Sequence, residues 1–226
     1  MKDRSSDIRF FLDYISSNAY LAWHEIHRLA ESYGRRVEPT PVLFAGLLNA
    51  HGQLGPAEVL PKALWMNRNV HRKAALLGIQ LKPPASHPFN PLLALRVSSI
   101  AMEESIRRKL IDALFRAVWS EGADVMDPRV ISAIAATAGL DGDKAVAEAG
   151  TQEVKDRLRS ETESAIGAGV FGVPTLIVDD ELFWGYDDFP FLERFLAGRD
   201  PLDREALQAW FGVRPSVTRR RPDQSS

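Results

Sequence analysis

Phe171-Gly172-Val173-Pro174-Thr175-Leu176-Ile177-Val178 sets a proline at the mouth of a β-rich run. Proline has no N–H for a sheet ladder and is confined to edges, bulges and strand starts. Pro174 therefore marks a strand that opens at Thr175 and runs through Val178. Taken alone, it reads as an ordinary trans proline beginning an edge strand. Asp179-Asp180 follows as a tight turn, and Glu181 to Trp184 completes a hairpin. Asp187 to Leu196 reads as a helix, and a last helix covers Asp203 to Phe211. The arginines, prolines and serines from Arg214 onward predict a disordered tail.

At the other end of the chain, Ile8 to Leu12 (IRFFL) is a short apolar run of strand formers. Asp13 to Asn18 is turn-like and full of helix N-cap types. Ala19, Ala22, Ile26, Leu29, Ala30 and Tyr33 then recur at helical spacing, and Gly34 ends the helix. Val37 to Phe44 supplies a second strand. Between these two ends the pattern is helical, with no strand candidate from about residue 45 to about residue 169. Residues 60–78, Pro91 to Glu103 and Glu104 to Glu121 belong to this block, with an extended proline-rich loop around Lys82 to Pro88. Helices also run through 128–138, opened by Asp127-Pro128, and through 142–149 and 151–168. The order is β-α-β, a helical insert, then β-β-α. This predicts an α/β chain with a thioredoxin-like fold interrupted by an all-helical insertion domain. Residues 1–45 and 169–212 form the discontinuous thioredoxin-like domain, 46–168 the insertion and 213–226 the tail.

Composition bounds the chemistry. The chain has 226 residues, a net charge of -2, 45% hydrophobic and 26% charged residues, as in a globular protein. Such a charge gives no field-driven attraction to nucleic acid, and no apolar stretch approaches the roughly 20 residues of a membrane span. Met1 to Asp7 is polar and lacks the apolar core of a secretion signal, so the expected location is cytoplasmic. The chain contains no cysteine, which excludes disulfides, thiolate metal sites and cysteine nucleophiles. Thiol chemistry here has to borrow its sulfur.

Ser16 lies where the first strand gives way to the first helix. A helix N-terminus offers free N–H donors and partial positive charge, which favour an anion such as a thiolate. By itself Ser16 also reads as a plain N-cap beside Ser17 and Asn18.

Asp13 to Leu21 resembles the D-x-x-S-P-x-S-Y/W-L segment of the 2-hydroxychromene-2-carboxylate isomerases and kappa-class glutathione transferases, which share a split thioredoxin fold with DsbA. The run from Gly169 to Thr175, with Leu182 to Asp188, is similar to the isomerases' GVFGVPT and MFWGNDR. Weaker matches fill the middle: Pro41-Val42-Leu43, Gly52 to Pro56, Pro61-Lys62, Trp65-Met66 and His87 to Pro91. The resemblance covers residues 8–197. It implies a cis bond before Pro174, which turns the Val173 N–H and C=O toward the cysteinyl unit of glutathione. It implies that Ser16 is catalytic and stabilises the glutathione sulfur. Lys62 would approach glutathione's glycine carboxylate or the acidic substrate, with Gln53 standing where asparagine is usual. Tyr186 and Asp187 would hold the γ-glutamyl end, and Asn90 and Trp184 would lie on the substrate side. The implied activity is glutathione-dependent interconversion of 2-hydroxychromene-2-carboxylate and trans-o-hydroxybenzylidenepyruvate, or a similar aromatic 2-oxo acid, in a homodimer without a metal. A kappa-like transferase or peroxidase and a non-catalytic peptide-binding module are the alternatives; the absent cysteines argue against a DsbA-like redox role.

The sequence also departs from the family. Ser17 replaces the proline, Ala19 the second serine, and Tyr186-Asp187-Asp188 replaces Asn-Asp-Arg, putting an acid where the family has a cation. His24 and His27 share a helix face without an evident third metal ligand. Arg107-Arg108-Lys109 reads as a solvated helix face, and Arg219-Arg220-Arg221 as part of the tail. Trp65 and Trp119 read as core, with Trp184 the exception beside the glutathione loop.

Overall fold

The apolar run near the N-terminus forms β1 (Ile8–Leu12), the strand through which the sheet is built. β2 (Val37–Pro41) pairs with it in parallel, and β3 (Thr175–Val178) pairs on the other side antiparallel. β4 (Glu181–Trp184) adds to β3 and gives the order β2-β1-β3-β4. Asp179 and Asp180 both take positive φ, 48° and 65°, the geometry of a two-residue hairpin turn matched to strand twist. In the register Phe11 faces Thr175. The loop after Leu12 and the loop before Thr175 therefore emerge at the same end of the sheet. The computed structural model describes residues 7–217. Most of the expected tail, 218–226 with its arginine run, and residues 1–6 of the polar N-terminus lie outside the described residues.

Helix α1 (Ser17–Ser32) links β1 to β2; it buries Ala22, Trp23, Ile26 and Leu29 in the larger core and Leu21 against Val70 and Ala74. Eight more α-helices follow in the order α2 (Phe44–His51), α3 (Leu60–Leu77), α4 (Leu92–Ser98), α5 (Glu104–Arg116), α6 (Pro128–Thr137), α7 (Gly142–Ala149), α8 (Gln152–Gly167) and α9 (Phe189–Leu196). A π-helical turn, Ala117–Glu121, extends α5, and α10 (Arg204–Phe211) is the last described element. No strand separates β2 from β3 among the described residues.

The differences from the sequence reading have physical causes. β2 stops at Pro41 rather than Phe44, because Phe44 opens α2 and donates its N–H to the Asp13 carboxylate 31 residues away. The helix expected over Pro91 to Glu103 ends at Ser98. Its end carbonyls, Ser98 and Ser99, accept from the guanidiniums of Arg107 and Arg157, and Ile100 also accepts from Arg107. Arg107 is thus turned inward, not part of a solvated face. Trp65 is 56% exposed rather than core, since α3 buries only Val70 and Ala74 of its surface. The helix expected from Asp187 begins instead as a 3-10 turn, Tyr186–Asp188, before Pro190 seats α9.

Alternate residues of β1 serve different sides, as a strand's period of two requires. Phe10 joins Trp23, Ile26, Leu95, Leu114, Phe115 and Leu176 in the larger core. Phe11 joins Val42, Leu47, Ala165 and Val173 on the opposite side. Phe115 is the hinge of the larger core: its ring centroid lies 4.9 Å from Tyr14, 6.1 Å from Tyr20 and 6.3 Å from Trp23. Phe115→Ala should cost about 3–5 kcal/mol in urea unfolding, still in a single transition. A loss below about 1 kcal/mol would mean that helices and sheet do not share this core.

Candidate functional site

Residues 13–16 join β1 to α1, and each is fixed by a different part of the chain. Asp13 is fully buried. Its Oδ1 accepts from the Ile15 N–H at 3.1 Å, and its Oδ2 from the Phe44 N–H at 2.9 Å. Burial pushes this carboxyl up from 3.8 to about 7, against the pull of the two N–H donors. The Tyr14 hydroxyl lies 2.6 Å from Ser98 Oγ, and the Tyr14 carbonyl accepts from Trp119 Nε1 at 2.9 Å. The Ile15 carbonyl accepts from His87 Nε2 at 3.1 Å.

Ser16 closes the loop. Its Oγ accepts from the Ala19 N–H at 3.1 Å, which makes it the N-cap of α1. The same hydroxyl donates to the Val173 carbonyl at 3.1 Å, across 157 residues of chain. The plain N-cap reading of Ser16 is thus realised, and the same hydroxyl also ties the start of α1 to the turn before β3. The Val173–Pro174 peptide is cis. Thr175 Oγ1 donates to Gly172 C=O at 2.7 Å and Gly185 N–H to Pro174 C=O at 2.8 Å, pinning the turn on both sides. The Val173 N–H has no hydrogen-bond partner among the described residues. A Cβ on Gly172 would lie 2.6 Å from Trp184 Nε1, so only glycine lets the half-exposed indole lie across this turn. The Phe171 ring flanks that indole with centroids 5.1 Å apart.

Beside α1 the carboxylate of Asp187 accepts from Lys73 Nζ at 2.8 Å, and the same ammonium donates to Asn18 Oδ1 at 3.2 Å. The Tyr186 ring lies 5.9 Å from that nitrogen. Asp188, the acid that replaces the family's arginine, is turned away: its Oδ2 accepts from the Trp184 N–H at 2.8 Å.

Ser16, Val173 and Pro174 therefore meet, and Tyr186 and Asp187 lie beside the first turn of α1 through Lys73 and Asn18. Lys62, Gln53 and Asn90 are exposed and share no hydrogen bond or ion pair with Ser16, Val173 or Asp187 among the described residues. Asn90 Oδ1 instead accepts from the Leu92 N–H at the start of α4. Sequence reasoning missed Lys73 and His87 as site neighbours. Lys73 was legible as a basic residue on the stripe Val70, Ala74 and Leu77, the face of α3 that packs on α1. His87 lay inside a quoted motif, but its contact with Ile15 spans 72 residues and leaves no local trace. No group of three or more His, Cys, Asp or Glu is placed to hold a metal among the described residues. No helix among them is long and apolar enough to cross a membrane.

Residues 7–197 match the family profile of the DSBA-like thioredoxin domain. A 2-hydroxychromene-2-carboxylate isomerase of Sphingobium xenophagum is 30% identical over 191 residues, covering 84% of this chain and 97% of that protein. The chain belongs to the 2-hydroxychromene-2-carboxylate isomerase branch of the DSBA-like thioredoxin family. A solved structure of a 2-hydroxychromene-2-carboxylate isomerase superposes with a TM-score of 0.79 at 25% identity, over 89% of this chain and 98% of that one. The human glutathione S-transferase kappa 1 is 24% identical over 232 residues, covering 94% of this chain and 96% of that protein.

Asp13 gives this site a pH signature. Its proton binds near pH 7 in the folded state and near 3.8 in the unfolded state. Between these values the folded state holds more protons, so the group's contribution to stability falls as pH rises from about 4 to about 7. Wild type should therefore gain stability relative to Asp13→Asn as the pH of urea unfolding is lowered through that window. Parallel stability profiles for the two proteins would contradict the assignment.

Proposed function

We propose that the protein is a glutathione-dependent isomerase that interconverts 2-hydroxychromene-2-carboxylate and trans-o-hydroxybenzylidenepyruvate, or a closely similar aromatic 2-oxo acid. The observation that carries this reading is the 3.1 Å contact between Ser16 Oγ and the Val173 carbonyl, at the N-terminus of α1, in a chain without a cysteine of its own. The isomerase relatives support the reaction by name, and the kappa transferase relative supports the thiol.

The residues present fit a cysteinyl tripeptide. The Val173 N–H is available for a backbone pair, and the first turn of α1 adds N–H donors and positive potential where a sulfur anion would lie. When bound, glutathione would supply a thiolate nucleophile, the chemistry that reversible addition to a conjugated carbon requires. Ser16 holds and steers a proton in this scheme. A hydroxyl hydrogen turns about its own C–O bond. Ser16 can thus exchange the Val173 carbonyl for a sulfur while its oxygen keeps the Ala19 N–H. Within this reading Lys62 and Gln53 serve the glycine end of the tripeptide or the substrate carboxylate. Asn90 and Trp184 border the substrate, and the half-exposed indole of Trp184 offers an aromatic acid a flat partner.

With glutathione far below the substrate concentration, the substrate should be isomerised through many turnovers and all glutathione recovered unchanged. Ser16→Ala should lower kcat by about a hundredfold, the loss of one donor to a developing anion, with a smaller loss of glutathione affinity. Consumption of one glutathione per substrate would identify a kappa-like transferase instead. Unchanged turnover in Ser16→Ala would remove the serine from the chemistry, whereas glutathione binding without any turnover in wild type would favour a binding module.

A further inference from the structure

Two consecutive carbonyls of the site loop are each held by a ring N–H. Trp119 Nε1 donates to the Tyr14 carbonyl at 2.9 Å, and His87 Nε2 to the Ile15 carbonyl at 3.1 Å. The two ring centroids lie 5.7 Å apart, and Phe89 flanks the imidazole at 6.4 Å. Their settings differ. Trp119 is buried, and an indole can only donate. His87 is exposed. A carbonyl oxygen can only accept, so the bond to Ile15 places the proton of the neutral imidazole on Nε2 and leaves the lone pair on Nδ1. Nδ1 has no hydrogen bond among the described residues. Holding a carbonyl needs a donor alone. The imidazole also brings a free basic nitrogen, on a ring tied to the residue before Ser16.

The isomerisation proposed above needs such a group. In a 2-hydroxychromene-2-carboxylate the double bond lies inside a six-membered ring and cannot rotate. The hemiketal carbon offers no carbonyl for conjugation, so the ring has to open before a thiolate can add. Opening moves a proton from one oxygen to another. Ser16 Oγ is committed to Val173 or to a sulfur, Asp13 is fully buried, and Asp187 is bound to Lys73. We propose that His87 is the acid–base residue that opens the ring. The inference rests on the isomerase reading of this same site and adds a step to it. His87 Nδ1 takes the proton of the hemiketal hydroxyl, and the electron pair of that O–H bond becomes the second bond of the new carbonyl. The bond from the hemiketal carbon to the ring oxygen breaks, and its pair leaves on that oxygen as a phenolate. The imidazolium then returns the proton to the phenolate. The open cis acid has the same atoms as the closed one, and His87 ends neutral. The Ile15 carbonyl on Nε2–H orients the ring and steadies its charge between the two transfers.

Two substrates separate this role from a structural one: the ring-closed 2-hydroxychromene-2-carboxylate, and cis-2-methoxybenzylidenepyruvate, which cannot close. His87→Gln keeps an N–H for the Ile15 carbonyl but has no basic nitrogen. It should lower kcat on the ring-closed acid by about a hundredfold or more, the usual worth of a general acid–base group, and leave kcat on the methoxy acid within about twofold of wild type. An equal fall on both substrates would reduce His87 to a positioning residue, and unchanged turnover of both would remove it from the reaction; either result overturns the proposal. Rescue is a second, independent reading. Because His87 is exposed, its removal in His87→Gly leaves a place that solvent reaches. Free imidazole should restore turnover of the ring-closed acid there in proportion to its concentration and leave wild type unchanged. Absence of rescue overturns the proposal however well the methoxy acid is used. If wild type with glutathione isomerises neither substrate, the isomerase reading itself fails.

Discussion

The antiparallel pairing of β1 with β3 is the constraint on which the site depends. With Phe11 opposite Thr175, the residues that follow β1 and those that precede β3 must leave the sheet together. That geometry brings Ser16 to Val173 across 157 residues of chain. The parallel pairing of β1 with β2 then requires a crossover, and α1 provides it with its N-terminus at the same edge. A helix end with unsatisfied donors and a peptide edge with a spare N–H therefore face one another. Neither depends on a side chain that could be a nucleophile.

The helices between β2 and β3 do more than cover the sheet. Phe44 of α2 holds Asp13, Ser98 of α4 holds Tyr14, Trp119 of the π-helical turn holds the Tyr14 carbonyl, and His87 holds the Ile15 carbonyl. Four consecutive residues, the last of them Ser16, are thus fastened by separate segments and by the β3 edge. Much of the binding cost of ordering a loop is met in folding rather than on ligand capture. The buried Asp13 shows the scale of that commitment. A carboxyl is kept among backbone donors at the expense of its solvation, and its proton affinity rises accordingly.

Much of this was legible in the sequence. The apolar run IRFFL gave β1, and the proline before TLIV and the paired aspartates gave the hairpin. The strand-poor middle gave the helical insertion. What escaped is non-local. The N-terminus of α2 is set by Asp13, so residues 42–44 carry no cap signal of their own. The inward turn of Arg107 depends on carbonyls at the end of α4. In the site, Ser16, Val173, Pro174 and Asp187 stood in recognisable motifs. Lys73 stood in none, and Asp188 looked obstructive until the Trp184 N–H accounted for its charge. A motif locates a residue along the chain, whereas its charge partner is chosen by tertiary packing.

The central claim is that the α1 N-terminus and the Val173 edge hold a borrowed thiol as its anion. The ultraviolet absorbance of the glutathione thiolate, followed during a pH titration with saturating protein, measures this directly. The chain has no cysteine, so any thiolate band belongs to the ligand. The account predicts a bound-thiol pKa well below the roughly 8.5 of an ordinary thiol, shifting back upward in Ser16→Ala. A bound thiol that titrates as it does free in solution, with or without Ser16, would contradict it.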